Sequence, residues 1–167
     1  MKDIRLIELQ DGKIGLFTRP QGIIGGKGKI GFTIINSLED INETVISSAP
    51  LIPNQFDNNN SWGGVNAAYL LNNETIGVLG HYAYENKHGK HYSAITFTVN
   101  LKKGDVSTMK TIARRSDFPP GTSKTKQLWD IVFPGGLIKN ADGSATLYAG
   151  LSDKESGLLI IDYPWNL

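Results

Sequence analysis

With 167 residues, 40% of them hydrophobic and 20% charged, the chain is long and apolar enough to bury a core, which excludes a disordered or fibrous protein. Lys plus Arg number 17 against 16 Asp plus Glu, so a net charge of +1 gives no electrostatic ground for nucleic acid or an anionic membrane as partner. Cysteine is absent, which removes disulfides, thiolate metal sites and a cysteine nucleophile together. Ile4–Leu9, Lys13–Thr18 and Lys29–Ile35 read as strands, with Asp11-Gly12 as the hairpin turn between the first two. Ser37–Val45 carries Asn and β-branched residues and is given one helical turn at most. Ala67–Leu71 and Thr75–Leu79 follow as strands around the turn cluster Asn72-Asn73-Glu74, and His91–Val99 alternates with a period near two. Ile131–Ile138, Ala145–Ala149 and Gly157–Ile161 close the series, with Asp142-Gly143 as a turn. No charged-then-apolar leader and no apolar run of membrane-spanning length occurs, so a soluble, cytoplasmic, all-β protein is expected.

The strands repeat. Ile14-Gly15-Leu16-Phe17-Thr18-Arg19 lies on Ile76-Gly77-Val78-Leu79-Gly80-His81 at an offset of 62 residues, and Thr146-Leu147-Tyr148-Ala149-Gly150 is a looser third copy. Each copy follows a strand and a tight turn, the order of a four-stranded antiparallel propeller blade. About three blades are expected, at roughly 1–57, 58–124 and 125–167, in a single partial domain spanning 1–167. Asn58-Asn59-Asn60 and the stretch Pro119–Lys126 stand where connectors belong.

Three segments carry a resemblance to a known family. Lys2-Asp3-Ile4-Arg5 resembles the Glu-Asp-Pro-Arg signature of the mannoside phosphorylases and mannosidases of glycoside hydrolase family 130. Trp62-Gly63-Gly64-Val65-Asn66 through Gly80-His81-Tyr82 resembles that family's Gly-rich strand and Tyr-His-Gly turn. Asp130 through Gly136, then Leu147 through Asp153, resembles its Phe-Pro and Tyr-Tyr-Gly-Ala-Ala-Asp segments. Closer still, the whole chain is similar to the C-terminal portion of an uncharacterised bacterial domain family, number 1861, itself similar in fold to the five-bladed glycosidases. The resemblance implies a partial ring: either a fragment or a chain that completes its sheets with another subunit. It also implies a carbohydrate ligand and hydrolysis of a mannoside or related oligosaccharide. A non-catalytic carbohydrate-binding propeller and an inactive truncated remnant are the alternatives. Self-association, or a partner that supplies the missing blades, is expected because an open arc leaves apolar faces uncovered.

Asp3, Asn66 and Asp130 stand at strand starts, one per expected blade, where polar side chains face a propeller's central funnel. By the resemblance Asp3 is the general acid, and Arg5, two residues on, is a structural or substrate contact. Arg19 and His81 occupy equivalent places in two blades; in related phosphorylases basic residues in this region hold phosphate. Trp62 replaces the lysine those phosphorylases carry before their glycine pair, which removes an anion-binding charge and offers an aromatic face to a sugar. Asp130 and Asp153 complete the candidate substrate contacts, and no hydrolytic base is identified. No cofactor is implied: Gly25-Gly26-Lys27-Gly28 lacks the Ser/Thr and the helix of a phosphate loop. No metal site is implied either, since Glu85, His88 and His91 fit no ligand spacing and read as a polar loop.

Overall fold

Alternating apolar residues between turn clusters produce ten strands, and the computed structural model describes residues 2–56 and 60–165. The strands are β1 (Arg5–Glu8), β2 (Ile14–Thr18), β3 (Gly31–Ile35), β4 (Ser61–Asn72), β5 (Thr75–Asn86), β6 (Gly89–Asn100), β7 (Lys110–Ala113), β8 (Asp130–Lys139), β9 (Ser144–Leu151) and β10 (Glu155–Asp162). Order β1-β2-β3 forms one antiparallel sheet. β4-β5-β6-β7 and β8-β9-β10 are also antiparallel, and a short parallel contact, His91↔Asp130 and Tyr92↔Ile131, joins them into seven strands. Of the three sets expected to hold four strands each, only the middle one does; the outer two hold three. The proposed boundary near Asp57, with Asn58 and Asn59, lies outside the described residues. The stretch Ser37–Val45 departs from expectation too: a 3-10 turn, Leu38–Asp40, precedes a six-residue helix α1, Glu43–Ser48. The Asn42 side chain accepts a hydrogen bond from the Val45 amide at 3.0 Å, and that N-cap carries the helix past Val45.

β4 and β5 run far beyond their expected ends because glycines inside them are pairing positions rather than breaks. Gly63, Gly64 and Gly80 all stand in the β4–β5 ladder, where Gly64 pairs with His81 and Val65 with Gly80. β5 faces two cores. Ile76 and Val78 pack with Phe17, Ile30, Val65 and Phe97 against the first sheet. Leu79, one residue on, packs with Val132, Leu137, Leu147 and Trp165 of the last sheet. Each fully buried side chain of this size contributes about 1.5–3 kcal/mol, so the two cores fix the middle sheet between the outer ones. On β8–β10 the residues turned from the core are apolar: Ile138, Tyr148, Leu158 and Ile160 are exposed, with Leu158 beside Tyr148 in register. Among the described residues no helix is long and apolar enough to cross a membrane.

Candidate functional site

Where the first sheet meets the start of the middle one, charged and polar side chains collect around a residue with no side chain. A Cβ built on Gly64 would lie 2.9 Å from Asp3 Oδ2, 3.0 Å from Arg19 Cδ and 3.0 Å from His81 Cε1. Glycine at this point therefore lets three groups from three segments converge. Asp3 precedes β1 in the left-handed region, φ 55°, which aspartate tolerates better than most residues. Arg19 follows β2, and its Nη1 donates to Asp3 Oδ2 at 2.8 Å. The Arg19 side chain is 8% exposed, and its Nε is buried with no hydrogen-bond partner among the described residues. Gly28, at φ 141°, supplies the space: a Cβ there would fall 2.5 Å from that Nε.

His81, 2% exposed, holds the inner end of the cluster. Its Nδ1 lies 2.8 Å from Asn66 Oδ1. Asn66 Nδ2 donates to the Pro134 carbonyl at 2.8 Å, so Oδ1 is the acceptor and the histidine proton sits on Nδ1. That leaves Nε2 as the unprotonated nitrogen. Burial first, and then the Arg19 charge, push His81 from 6.5 down to about 4; Arg5 adds to this and Asp3 opposes it. At neutral pH the ring is uncharged between two arginines. It stacks on Tyr92, centroids 5.6 Å apart, and tilts against Phe133 at 4.9 Å. Arg5 braces the same corner, donating from Nε to the Asn66 carbonyl at 2.8 Å and from Nη1 to that of Ile4 at 2.8 Å.

Five of the eight residues singled out in the sequence thus meet: Asp3, Arg5, Arg19, Asn66 and His81. Trp62 stands at the rim of the group, but it is 7% exposed and its Nε1 donates to the Tyr92 hydroxyl at 3.1 Å. It buttresses the cluster, with less open face than a stacking platform needs. Lys27 Nζ sits 5.3 Å from the Trp62 ring centroid, which returns a positive charge to the place where the tryptophan removed one. Asp130 and Asp153 do not join this group. Asp130 bonds His91 Nδ1 at 2.6 Å, and Asp153 pairs with Lys124 at 2.8 Å on the surface. His91 heads the strand expected over His91–Val99; the polar-loop reading given to it with Glu85 and His88 does not hold, since it is a buried residue of β6. Gly64, Lys27, Tyr92 and Phe133 were not singled out. Only Gly64 had a signal, a glycine pair inside a strand-like stretch.

The chain is similar in fold and sequence to solved proteins. A mannose phosphorylase from Leishmania mexicana, in complex with phosphate ion, matches with a TM-score of 0.88 and 38% identity over 98% of this chain and 52% of its own. A hypothetical protein from Leishmania major matches with a TM-score of 0.87 and 38% identity, over 99% and 53%. A GDP-Man-dependent mannosyltransferase from Leishmania mexicana gives 0.83 and 34%, over 99% and 52%. The chain spans about half the length of each. No curated protein matches it. The family model described as "Protein of unknown function (DUF1861)" matches residues 1–167, and the chain belongs to that family.

Proposed function

We propose that this chain carries the acid and anion-holding part of a glycosyl-transferring site that acts on a mannoside or related sugar. The observation that supports it best is the buried Arg19, bonded to Asp3 and next to a neutral His81, with its Nε unpartnered. A guanidinium so placed binds a phosphate or a sugar oxygen in a dry setting, where such contacts are strong. In phosphorolysis Asp3 gives its proton to the glycosidic oxygen as the C1–O bond breaks. A phosphate oxygen held by Arg19 forms the new bond to C1, and the products are a sugar 1-phosphate and a free hydroxyl. An anion on Arg19 competes with Asp3 for the guanidinium and so loosens the ion pair that holds the acid. Phosphate as acceptor needs no carboxylate base, and among the described residues no second carboxylate is bonded to the cluster. The 38% identical mannose phosphorylase supports the same acceptor.

Hydrolysis is the second reading, favoured by the tryptophan at position 62, and it requires a base from outside this chain. On either reading the three strand sets are proposed to be blades of an incomplete ring. Leu158 and Ile160 then belong to a face that a further blade, or a second copy, covers.

Asp3→Asn tests the acid. Release of mannose or mannose 1-phosphate from mannosides, with and without phosphate, should fall about 10²–10⁴-fold while the circular dichroism spectrum is unchanged. Full activity in that variant sinks the assignment. Stimulation by phosphate separates phosphorolysis from hydrolysis. Sugar binding by a wild-type chain that releases no product favours the non-catalytic alternative.

A further inference from the structure

A concavity of about 800 Å³ lies between the start of β6, the segment after β7 and the β8–β9 end of the last sheet. None of its lining residues belongs to the Asp3 cluster. On β5, Tyr82 and Tyr84 face it, alternating with His81 and Ala83, so the two sites use opposite faces of one strand.

Its least ordinary feature is Arg115, 7% exposed in a 3-10 turn, Arg115–Asp117. Nε donates to Ser152 Oγ at 3.1 Å and Nη1 to the Pro119 carbonyl at 2.8 Å. Among the described residues no carboxylate comes within 4.0 Å of this guanidinium. Glu155 feels its charge: Oε1 accepts from the Thr122 amide and hydroxyl at 2.9 and 2.7 Å, while Oε2 stands on the Gly121 side of the guanidinium, beyond ion-pair distance. Buried cations are ordinarily paired, because leaving one unpaired costs several kcal/mol. At Gly121 the missing side chain leaves room for both Arg115 Nη2, 3.0 Å from an added Cβ, and Glu155 Oε2, which lies nearer still.

Three further groups line the same space. His91 donates from Nδ1 to Asp130, and its Nε2 is buried with no partner, leaving an acceptor for a hydroxyl. Arg114 stands exposed at the mouth, its side chain in no ion pair. Trp129 is 51% exposed and presents an aromatic surface of the kind that Trp62 does not.

We propose that this cavity is a second binding site, for a small anionic sugar. Its carboxylate or phosphate lies on Arg115 with Arg114 at the entrance, a ring hydroxyl donates to His91, and the ring lies on Trp129. A bare anion uses the arginines alone, and a neutral sugar leaves Arg115 without an anion at ion-pair distance, so the anionic sugar is the class that satisfies all the groups.

Calorimetric titration of the chain with glucuronate, glucose 6-phosphate, glucose and inorganic phosphate decides it. Glucuronate and glucose 6-phosphate should each bind at least about tenfold tighter than glucose or phosphate. Arg114→Gln and Trp129→Ala, both at exposed positions, should weaken that binding about tenfold, and Asp3→Asn should leave it unchanged. Absence of binding by both anionic sugars overturns the proposal. So does phosphate binding as tightly as glucose 6-phosphate, which marks a bare anion site, or loss of binding in Asp3→Asn, which places the ligand in the first cluster. The last outcome leaves the acid role of Asp3 standing, and a failed Asp3 assignment leaves this site standing.

Discussion

His81 and His91 stand on neighbouring strands of one sheet, both buried, both bonded through Nδ1, yet their surroundings are built oppositely. His81 donates to the amide oxygen of Asn66, has arginines 5 and 19 nearby, and lies on Tyr92. His91 donates to the carboxylate of Asp130 and lies flat on Tyr84 at 4.5 Å. An amide partner orients a ring without adding charge; a carboxylate orients it and sets a full negative charge beside it. The first arrangement keeps a neutral ring in a corner whose net charge is positive, which suits an incoming oxyanion. In the second, Asp130 is spent on the histidine, and across the cavity Arg115 carries a positive charge with no carboxylate within 4.0 Å among the described residues.

The comparison breaks most sharply at the amide. Asn66→Ala strands two buried groups, His81 Nδ1–H and the Pro134 carbonyl, at about 1–3 kcal/mol each. We expect a loss of about 2–4 kcal/mol in unfolding free energy, read from the urea midpoint at unchanged m-value. A loss under about 0.5 kcal/mol means that the neighbours close over the gap and that the amide is dispensable.

Acid should distinguish the histidines next. Folding lowers the His81 value from 6.5 to about 4, so between those pH values the unfolded chain binds the proton and the folded one does not. Stability from this group is therefore full above pH 6.5 and falls as the pH drops toward 4. At about 1.4 kcal/mol per pH unit the decline is about 3 kcal/mol, and His81→Gln should remove it from the stability profile. Asn66→Asp sharpens the test. It gives His81 the kind of partner His91 has, and the NMR titration midpoint of the His81 ring should move upward from about 4. A midpoint that stays put or falls means that burial overrides the new charge.

Much of the fold was legible because apolar alternation and turn residues act locally. Asp11-Gly12 and Asp142-Gly143 mark real turns, and the expected strands in the first and last sheets fall within a few residues of the observed ones. What stayed hidden depends on packing. Gly63 and Gly64 look like interruptions until Asp3, Arg19, His81 and Phe56 crowd the space their missing side chains leave, and Gly80 until the Gly64 carbonyl does. β7 is four residues long and pairs only along β6, so it has too little pattern to announce itself. The cluster divides in the same way. Asp3, Arg19 and His81 were reached through resemblance to known motifs. The bond that fixes Asn66 spans 68 residues to a proline carbonyl, and no local pattern encodes it. His91 stood at the head of an expected strand, but the polar run before it suggested a loop, and nothing in the spacing pointed to Asp130.

The smallest expected effect separates two aspartates that the sequence placed in one list. Asp3 and Asp153 share a left-handed backbone, φ 55° and 53°. Asp3 uses it to reach a buried arginine, whereas Asp153 uses it in the β9–β10 turn and reaches Lys124, an exposed partner that water and salt screen. The hydrogen bond that Lys124 donates to Asp153 holds its amine above the ordinary range, but a contact so exposed should leave the unfolding midpoint of Lys124→Ala unchanged. Backbone strain is then the main stability cost of Asp153 itself. Glycine there relieves about 1 kcal/mol of left-handed strain and adds about 0.5 kcal/mol of chain entropy to the unfolded state, so Asp153→Gly should stabilise by about 0.5 kcal/mol. Asp3→Gly should instead destabilise, because the relieved backbone leaves Arg19 buried without its carboxylate. If both variants lose stability together, Asp153 is held by more than its surface lysine, and the division between the two aspartates fails.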